Sequence, residues 1–177
     1  AKNGAIAAVS DLYDELGLTG EGSGDVLDIC SSWISHFRTP PERLVITGMN
    51  ANELAANEMA DERLVHDLNV DPRLPFEDAS FDAVTCCVSV DYLPRPLDVF
   101  AEVARLLRPG GVFVCTFSNR CFLTKAIRGW LSTDDRGRVQ IVATYFELTD
   151  GFGEPIAELR NPGAPGAPLY AVRAPRE

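Results

Sequence analysis

Residues 61–118, DERLVHDLNVDPRLPFEDASFDAVTCCVSVDYLPRPLDVFAEVARLLRPGGVFVCTFS, decide the fold. Ala83 to Val90 is an almost continuous apolar and β-branched run, which is typical of a strand covered on both faces in a parallel sheet. From Pro96 to Leu107 the apolar residues recur at spacings of three and four, which predicts a helix with one buried face. Pro109 should end this helix, and a second apolar strand follows at Val112 to Phe117. The stretch therefore predicts a βαβ unit.

Strands and helices also alternate outside this unit. Asn50, with Glu53 three residues later, has the pattern of a capping box, which predicts the start of a helix. Such alternation is typical of an open parallel sheet with helices on both faces. The other predicted elements are an N-terminal helix over 6–16, strands at 25–30, 43–48 and 63–66, a helix over 50–57, helices over 121–131 and 136–148, and strands at 154–160 and 169–174.

Three glycines stand before the first predicted strand. Gly20, Gly22 and Gly24 look like a phosphate-binding loop. A dinucleotide fingerprint, however, follows its strand and does not precede it. We therefore expect these glycines to form a flexible linker.

The composition limits the classes of partner. A net charge of −10 would repel nucleic acids and anionic membranes, so we expect neither as a partner. No apolar stretch approaches the roughly 20 residues that a membrane-spanning helix needs. The five cysteines include no CxxC pair and the two histidines lack ligand spacing, so we expect reduced thiols and no metal site.

The composition and the first residue also bear on location. Reduced thiols predict an intracellular protein. The chain begins with Ala1 and not with an initiator Met, which is compatible with a preceding targeting segment. We expect a cytoplasmic location, or a plastid if such a segment is present.

Three short motifs within about forty residues resemble a known family. They are Leu74-Pro75-Phe76, then Ser80-Phe81-Asp82, then ARLLRPGG at residues 104–111. Their order and spacing are similar to the LPF…FD…RxLxPGG signature of class I S-adenosylmethionine-dependent methyltransferases, in the methyltransferase type 11 group. More loosely, VLDICSSWISHF and FSNRCF resemble an uncharacterised plant and algal branch of these proteins.

The resemblance implies a Rossmann-like α/β fold. Its mostly parallel sheet would have seven strands in the order 3-2-1-4-5-7-6, with strand 7 antiparallel and helices on both faces. At 177 residues we expect a single domain. Its parts would be an N-terminal helix and linker (1–24), a cofactor-binding core (25–118), a helical lid or substrate wall (119–150) and a C-terminal strand pair (151–177).

The resemblance also implies a cofactor site at the carboxyl ends of the strands, where the strand order reverses. After strand 1 the family places GxGxG, but this chain has Cys30, Ser32 and Ile34 at the glycine positions. Their Cβ atoms would occupy space that glycine leaves free. Asp28 and the small residues Ser31 and Ser32 stay candidates for binding the cofactor.

Two further strand ends match the family's nucleoside site. After strand 2, Asn50, preceded by Met49, stands where the family has an acid that accepts both ribose hydroxyls. The amide costs about 1 kcal/mol or more of that binding, and the alternative role of Asn50 is a helix cap. After strand 3, Asp67 matches the acid that accepts from the adenine amine, and Leu68 would supply a backbone N–H. The alternative for Asp67 is a solvated loop carboxylate.

The ends of strands 4 and 5 would face the transferring methyl group and the acceptor. Ser89 would contact the cofactor, Asp91 is a candidate base and Tyr92 a candidate wall or hydrogen-bond partner. Methyl transfer depends mostly on alignment and needs a base only if the acceptor must lose a proton. A helix cap and plain packing are the alternatives for Asp91 and Tyr92. Asn119 and Arg120 are candidate substrate residues.

The segment from residue 120 to residue 140 carries an excess of positive charge. Five basic residues stand against Asp134 and Asp135, a local charge of +3. This excess favours an anionic small-molecule acceptor or an acidic partner, although a solvated helix face explains it as well. The five basic residues are Arg120, Lys125, Arg128, Arg136 and Arg138.

Two functions fit the sequence best. The first is methyl transfer from S-adenosylmethionine to a small-molecule acceptor, with S-adenosylhomocysteine as the product. The alternative is a catalytically inactive methyltransferase-like binding or scaffold domain, because the glycines and the ribose acid are missing. A nucleotide-dependent oxidoreductase is disfavoured, since no glycine fingerprint follows strand 1.

Overall fold

The structure is a computed structural model that describes residues 2–87, 93–118, 135–164 and 167–177. Within these ranges no helix is long and apolar enough to cross a membrane. The predicted helix over 121–131 and the predicted end of the fourth strand at Val90 lie outside them. The elements are α1 (Lys2–Glu15), β1 (Gly20–Ile29), β2 (Pro41–Gly48), α2 (Ala51–Ala56), β3 (Glu62–Val65), β4 (Phe81–Cys87), α3 (Pro96–Leu106), β5 (Leu107–Ser118), α4 (Asp135–Glu147), β6 (Ile156–Leu159) and β7 (Leu169–Pro175).

The seven strands form one sheet in the order β3-β2-β1-β4-β5-β7-β6. Strands β1 to β5 pair in parallel, and β7 pairs antiparallel with both β5 and β6. The predicted strand order, the antiparallel seventh strand and the α/β class are confirmed. The order reverses between β1 and β4, so the loops that follow these strands open a crevice at the carboxyl edge.

Each face of the sheet carries its own apolar layer. On one face the Phe100 ring lies 4.9 Å from the rings of both Phe113 and Phe146, edge to face. Such aromatic pairs add stabilisation beyond the area they bury. On the other face Leu12 and Tyr13 of α1 are fully buried. Burial on both faces explains why β4 reads as a continuous apolar run.

The glycines before Asp25 belong to β1, so the expected flexible linker was wrong. Gly20, Gly22 and Gly24 all have positive φ, and the pairing of β1 with β2 shifts register between Gly20 and Asp25. A Cβ atom at Gly24 would collide with the carboxylate of Asp82. The glycines therefore permit an irregular strand start, which the sequence pattern could not distinguish from a loop.

The expectation that Pro109 ends α3 was also wrong. The helix ends at Leu106 and β5 begins at Leu107, so Pro109 lies inside the strand. There the pairing between β4 and β5 shifts register. Pro is tolerated at such an irregularity because the ladder needs no N–H from it.

The family-like signature forms a cluster at the amino edge of the sheet, which we call the amino-edge clamp: Arg105, Glu102, Arg108, Asp82 and Asp25. Arg105 donates to the carbonyl oxygens of the LPF motif, at 3.1 Å to Leu74 and 2.8 Å to Phe76. It also donates to Glu102, which accepts from the Leu74 N–H at 2.6 Å. Arg108 donates to Asp82 at 2.8 Å and to Asp25 at 3.0 Å. These contacts therefore join α3, β5, β1, β4 and the loop before β4.

Candidate functional site

The loops after β1, β2 and β3 meet at the carboxyl edge, as predicted. The Ser31 N–H donates to the Thr47 carbonyl at 2.6 Å, and the His66 N–H donates to the Gly48 carbonyl at 2.9 Å. A Cβ atom at Gly48 would collide with the carbonyl oxygen of Ser31. Glycine at the end of β2 therefore lets the β1 loop approach closely, a requirement that the sequence analysis missed.

Cys30 adopts a backbone conformation that favours glycine. Its φ is +57°, in the left-handed region, directly after the last residue of β1. A side chain in this region costs about 1–2 kcal/mol relative to glycine. Cysteine therefore occupies a turn position that glycine would occupy with less strain.

Asp28 is buried beneath this turn. Its carboxylate accepts from the Thr85 hydroxyl at 2.8 Å and, more weakly, from the Ser35 hydroxyl at 3.4 Å. Burial raises the pKa of Asp28 to about 6, although these hydrogen bonds oppose the rise. The carboxylate lies in β1, opposite Ile46 of β2 and Thr85 of β4.

Asn57 attaches the β1 loop to the end of α2. This buried amide donates to the Ser32 carbonyl at 3.2 Å and to the Ser35 hydroxyl at 3.0 Å, and it accepts from the Met59 N–H at 3.1 Å. The sequence analysis missed Asn57 and Ser35, because an Asn at a helix end reads as a cap. Thr85 was also missed, although a hydroxyl within a buried strand signals a buried partner.

Asn50 caps α2. Its side-chain oxygen accepts from the backbone N–H groups of Asn52 at 3.0 Å and Glu53 at 3.1 Å. Its amide nitrogen donates to no group that the structure describes and remains able to face a ribose hydroxyl. The neighbouring Met49 is 66% exposed.

Asp67 forms a turn two residues after the end of β3. One carboxylate oxygen accepts from the Asn69 N–H at 2.9 Å, and the other has no partner among residues with described positions. Leu68 is buried, and its N–H donates to nothing in the described ranges. An acceptor and a donor thus stand side by side at this edge.

Exposed apolar side chains lie on and beside the β1 loop. Trp33 is 56% exposed and Ile34 is 68% exposed, and both line a cavity of about 230 Å³ together with Met59. The Ser31 hydroxyl is buried and lies close enough to the Asp28 carboxylate to lower that group's pKa. The Ile34 side chain is exposed to solvent, so it does not fill the protein core.

A second cavity, of about 510 Å³, lies between α4, β6 and β7. Arg136 lines it, whereas Arg138 is paired with Asp135 at 3.2 Å. It contains none of the predicted cofactor residues. Ser89, Asp91, Tyr92, Asn119 and Arg120, predicted for the ends of strands 4 and 5, lie outside the described residues.

Comparisons with known proteins point to one family. The family model described as a methyltransferase domain matches residues 23–115. A malonyl-[acyl-carrier protein] O-methyltransferase of Marinomonas sp. is 28% identical over 126 residues, which cover 68% of this chain and 44% of that protein. An uncharacterized chloroplastic methyltransferase of Arabidopsis thaliana is 50% identical over 44 residues, 25% of this chain and 12% of that one.

The fold has close structural neighbours. The crystal structure of an S-adenosylmethionine-dependent methyltransferase from Aquifex aeolicus superposes with a TM-score of 0.66 at 13% identity, covering 97% of this chain and 90% of that one. At this identity the similarity concerns the fold alone. The chain spans less than half the length of the curated relatives named above.

Proposed function

Because the chain belongs to the methyltransferase type 11 family of methyltransferase domains, we propose that it transfers a methyl group to a small-molecule acceptor. The cofactor of this family is S-adenosylmethionine. The observation that carries the proposal is the glycine-like turn at Cys30, which lies beside the close approach at Gly48. At Cys30 the loop has a backbone conformation that glycine adopts readily, which supports the assignment of this loop to the cofactor site.

The described residues fit the nucleoside half of the cofactor. Asp67 would accept from the adenine amine with its free oxygen, and the unpaired Leu68 N–H would donate to the ring. Asn50 would donate its amide hydrogens to a ribose hydroxyl, with Met49 beside it as an apolar wall. An amide donor replaces the usual acidic acceptor, so this contact should be weaker than in relatives that carry an acid.

The β1 loop fits the amino-acid half. The Ser31 hydroxyl and the small Ser32 would receive the cofactor's carboxylate, and Asp28 would attract its ammonium group. The turn at Cys30 would bring the loop backbone close enough for these contacts. When bound, the cofactor supplies an electrophilic methyl group on a positively charged sulfur.

The acceptor side of the proposal rests on residues outside the described ranges. Asp91 would remove a proton if the acceptor carries one, and Tyr92 would wall the path of the methyl group beside Ser89. Asn119 and Arg120 would hold the acceptor. The positive charge between residues 120 and 140 favours an anionic one.

Isothermal titration calorimetry with S-adenosylhomocysteine tests the cofactor site. We expect binding, together with a rise in melting temperature, because a ligand of the native state stabilises it. Asp67→Ala should weaken binding about tenfold, the effect of losing one charge-assisted hydrogen bond.

Asp71→Ala is the matched control, because Asp71 accepts from the Arg73 N–H at 3.0 Å in the same kind of turn. It should leave affinity unchanged. Equal losses in both variants would remove Asp67 from the adenine site. If the parent chain does not bind S-adenosylhomocysteine at millimolar concentration, the proposed methyltransferase activity is refuted. The catalytically inactive scaffold domain would then be the remaining hypothesis.

A further inference from the structure

Three cysteines lie together beneath the β1 loop. Cys86 of β4 and Cys115 of β5 are fully buried register partners, and Cys30 packs against the same core layer while remaining partly exposed. All three are free thiols. Of these three, only Cys30 is open to a reagent in solvent, and among the other described cysteines Cys87 is partly exposed as well.

The strand register places Cys30 within disulfide reach of Cys86. Ile29 is the register partner of Cys86, and Cys30 is the next residue. Cys30 lies in a left-handed turn just past the end of β1, and its thiol makes a side-chain hydrogen bond with the Cys86 thiol, so the two sulfurs are in contact. Cys115 lies one strand further from Cys30.

The electrostatic environment assigns different roles to the two thiols. The neighbouring Cys30 thiol and complete burial raise the pKa of Cys86 well above its usual value. Cys86 is therefore a shielded thiol that does not react with reagents in solvent, and it must give up its proton when it attacks an oxidised sulfur beside it. Cys30 must be oxidised first.

We propose that Cys30 is an oxidation site for hydroperoxides and that Cys86 converts the product to a disulfide. The Cys30 thiol attacks the peroxide, the O–O bond breaks, and Cys30 sulfenic acid and an alcohol or water are formed. The Cys86 sulfur then attacks the Cys30 sulfur, the S–O bond breaks, and the thiol proton leaves with the hydroxide as water. The two thiols supply the two electrons that the peroxide takes up.

The disulfide would act on cofactor binding, a consequence that rests on the proposed function. Cys30 begins the turn that carries Ser31 and Ser32 to the carboxyl edge. Linking its sulfur to β4 pulls this turn toward the core and changes the left-handed backbone at residue 30. A misplacement of about 1 Å at a binding site can cost two orders of magnitude in activity. We expect at least about a tenfold loss of affinity.

Peptide mapping by mass spectrometry after hydrogen peroxide treatment tests the site itself. All chains carry Cys121→Ser, because Cys121 lies outside the described residues. We expect a Cys30–Cys86 link that a phosphine reductant reverses. Cys86→Ala should abolish the link and leave Cys30 as sulfenic or sulfinic acid. Cys115→Ala, which also removes one fully buried thiol, should retain it.

Calorimetry with S-adenosylhomocysteine on reduced, oxidised and re-reduced chains tests the consequence. Weaker binding after oxidation, restored by reduction and absent in Cys86→Ala, supports the switch. In the parent chain, a Cys86–Cys115 link or the absence of any link overturns the proposed site. This result does not depend on whether Cys86→Ala folds. Failure of the reduced chain to bind overturns the proposed function and leaves the mapping result standing.

Discussion

Because the backbone at Cys30 is left-handed, we expect glycine to be more stabilising than alanine at this position, the reverse of the usual order. Cys30→Ala and Cys30→Gly both remove the thiol, and they differ in the Cβ atom. At φ +57° that atom costs about 1–2 kcal/mol, whereas glycine loses about 0.5–1 kcal/mol more in chain entropy. Cys30→Gly should therefore be the more stable variant by about 0.5–1 kcal/mol.

Ser32 provides the control within the same loop. Its φ is not positive, so Ser32→Gly should be less stable than Ser32→Ala by about 0.5–1 kcal/mol. Subtracting the two glycine–alanine differences cancels the entropy of the unfolded chain. The remainder, about 1–2 kcal/mol, is the strain at Cys30.

Equilibrium unfolding in urea, under reducing conditions, measures both pairs. For a chain of this length 1 kcal/mol corresponds to about 2–4 °C in melting temperature, so thermal unfolding provides a second readout. If glycine destabilises both positions equally, Cys30 is not strained. The inferred retention of a glycine-like turn would then be refuted.

Two further predictions concern buried charges. The pKa of Asp28 rises from 3.8 to about 6 on folding, so its stabilising contribution is present below pH 3.8 and is lost as pH rises through about 6. At pH 7 the ionised Asp28 carboxylate lowers the free energy of unfolding by about 3 kcal/mol. In urea unfolding, the stability of Asp28→Asn relative to the parent chain should therefore rise by about that amount between pH 4 and pH 7. A difference in stability that does not change with pH would contradict this prediction. Arg105→Leu should lower the free energy of unfolding by about 3 kcal/mol, because it leaves the buried Glu102 carboxylate without its cation. Arg95→Ala, which breaks an exposed pair, should cost less than about 1 kcal/mol, and equal losses would show that the clamp is not stabilising.

The fold was predictable because its signals are local and periodic. The apolar run of β4 and the stripe of α3 report burial directly, and the signature residues Arg105 and Asp82 make the contacts that join these elements. Asn50 was predicted as either a cap or a ribose ligand, and the cap is the contact that the structure contains.

The site was less predictable because its geometry is set by backbone conformation and distant contacts. Cysteine carries no signal for positive φ, so the sequence analysis considered only the space taken by the Cβ atom of Cys30 and did not predict its left-handed backbone. The hydrogen bonds of Asn57 to the β1 loop span 22 and 25 residues, beyond any local pattern. The start of β1 was missed for a related reason, since glycines with positive φ read as a loop.

The amino-edge clamp lies across the sheet from the loops that would bind the cofactor. A sequence search that recognises Arg105, Arg108 and Asp82 therefore detects the inheritance of a scaffold, whatever chemistry the opposite edge has kept or lost. Because of this separation, residues 30–36 could be replaced without changing the amino-edge clamp. Replacing them with a loop that contains the GxGxG pattern would show, in one folded frame, how the side chains at residues 30, 32 and 34 change cofactor binding.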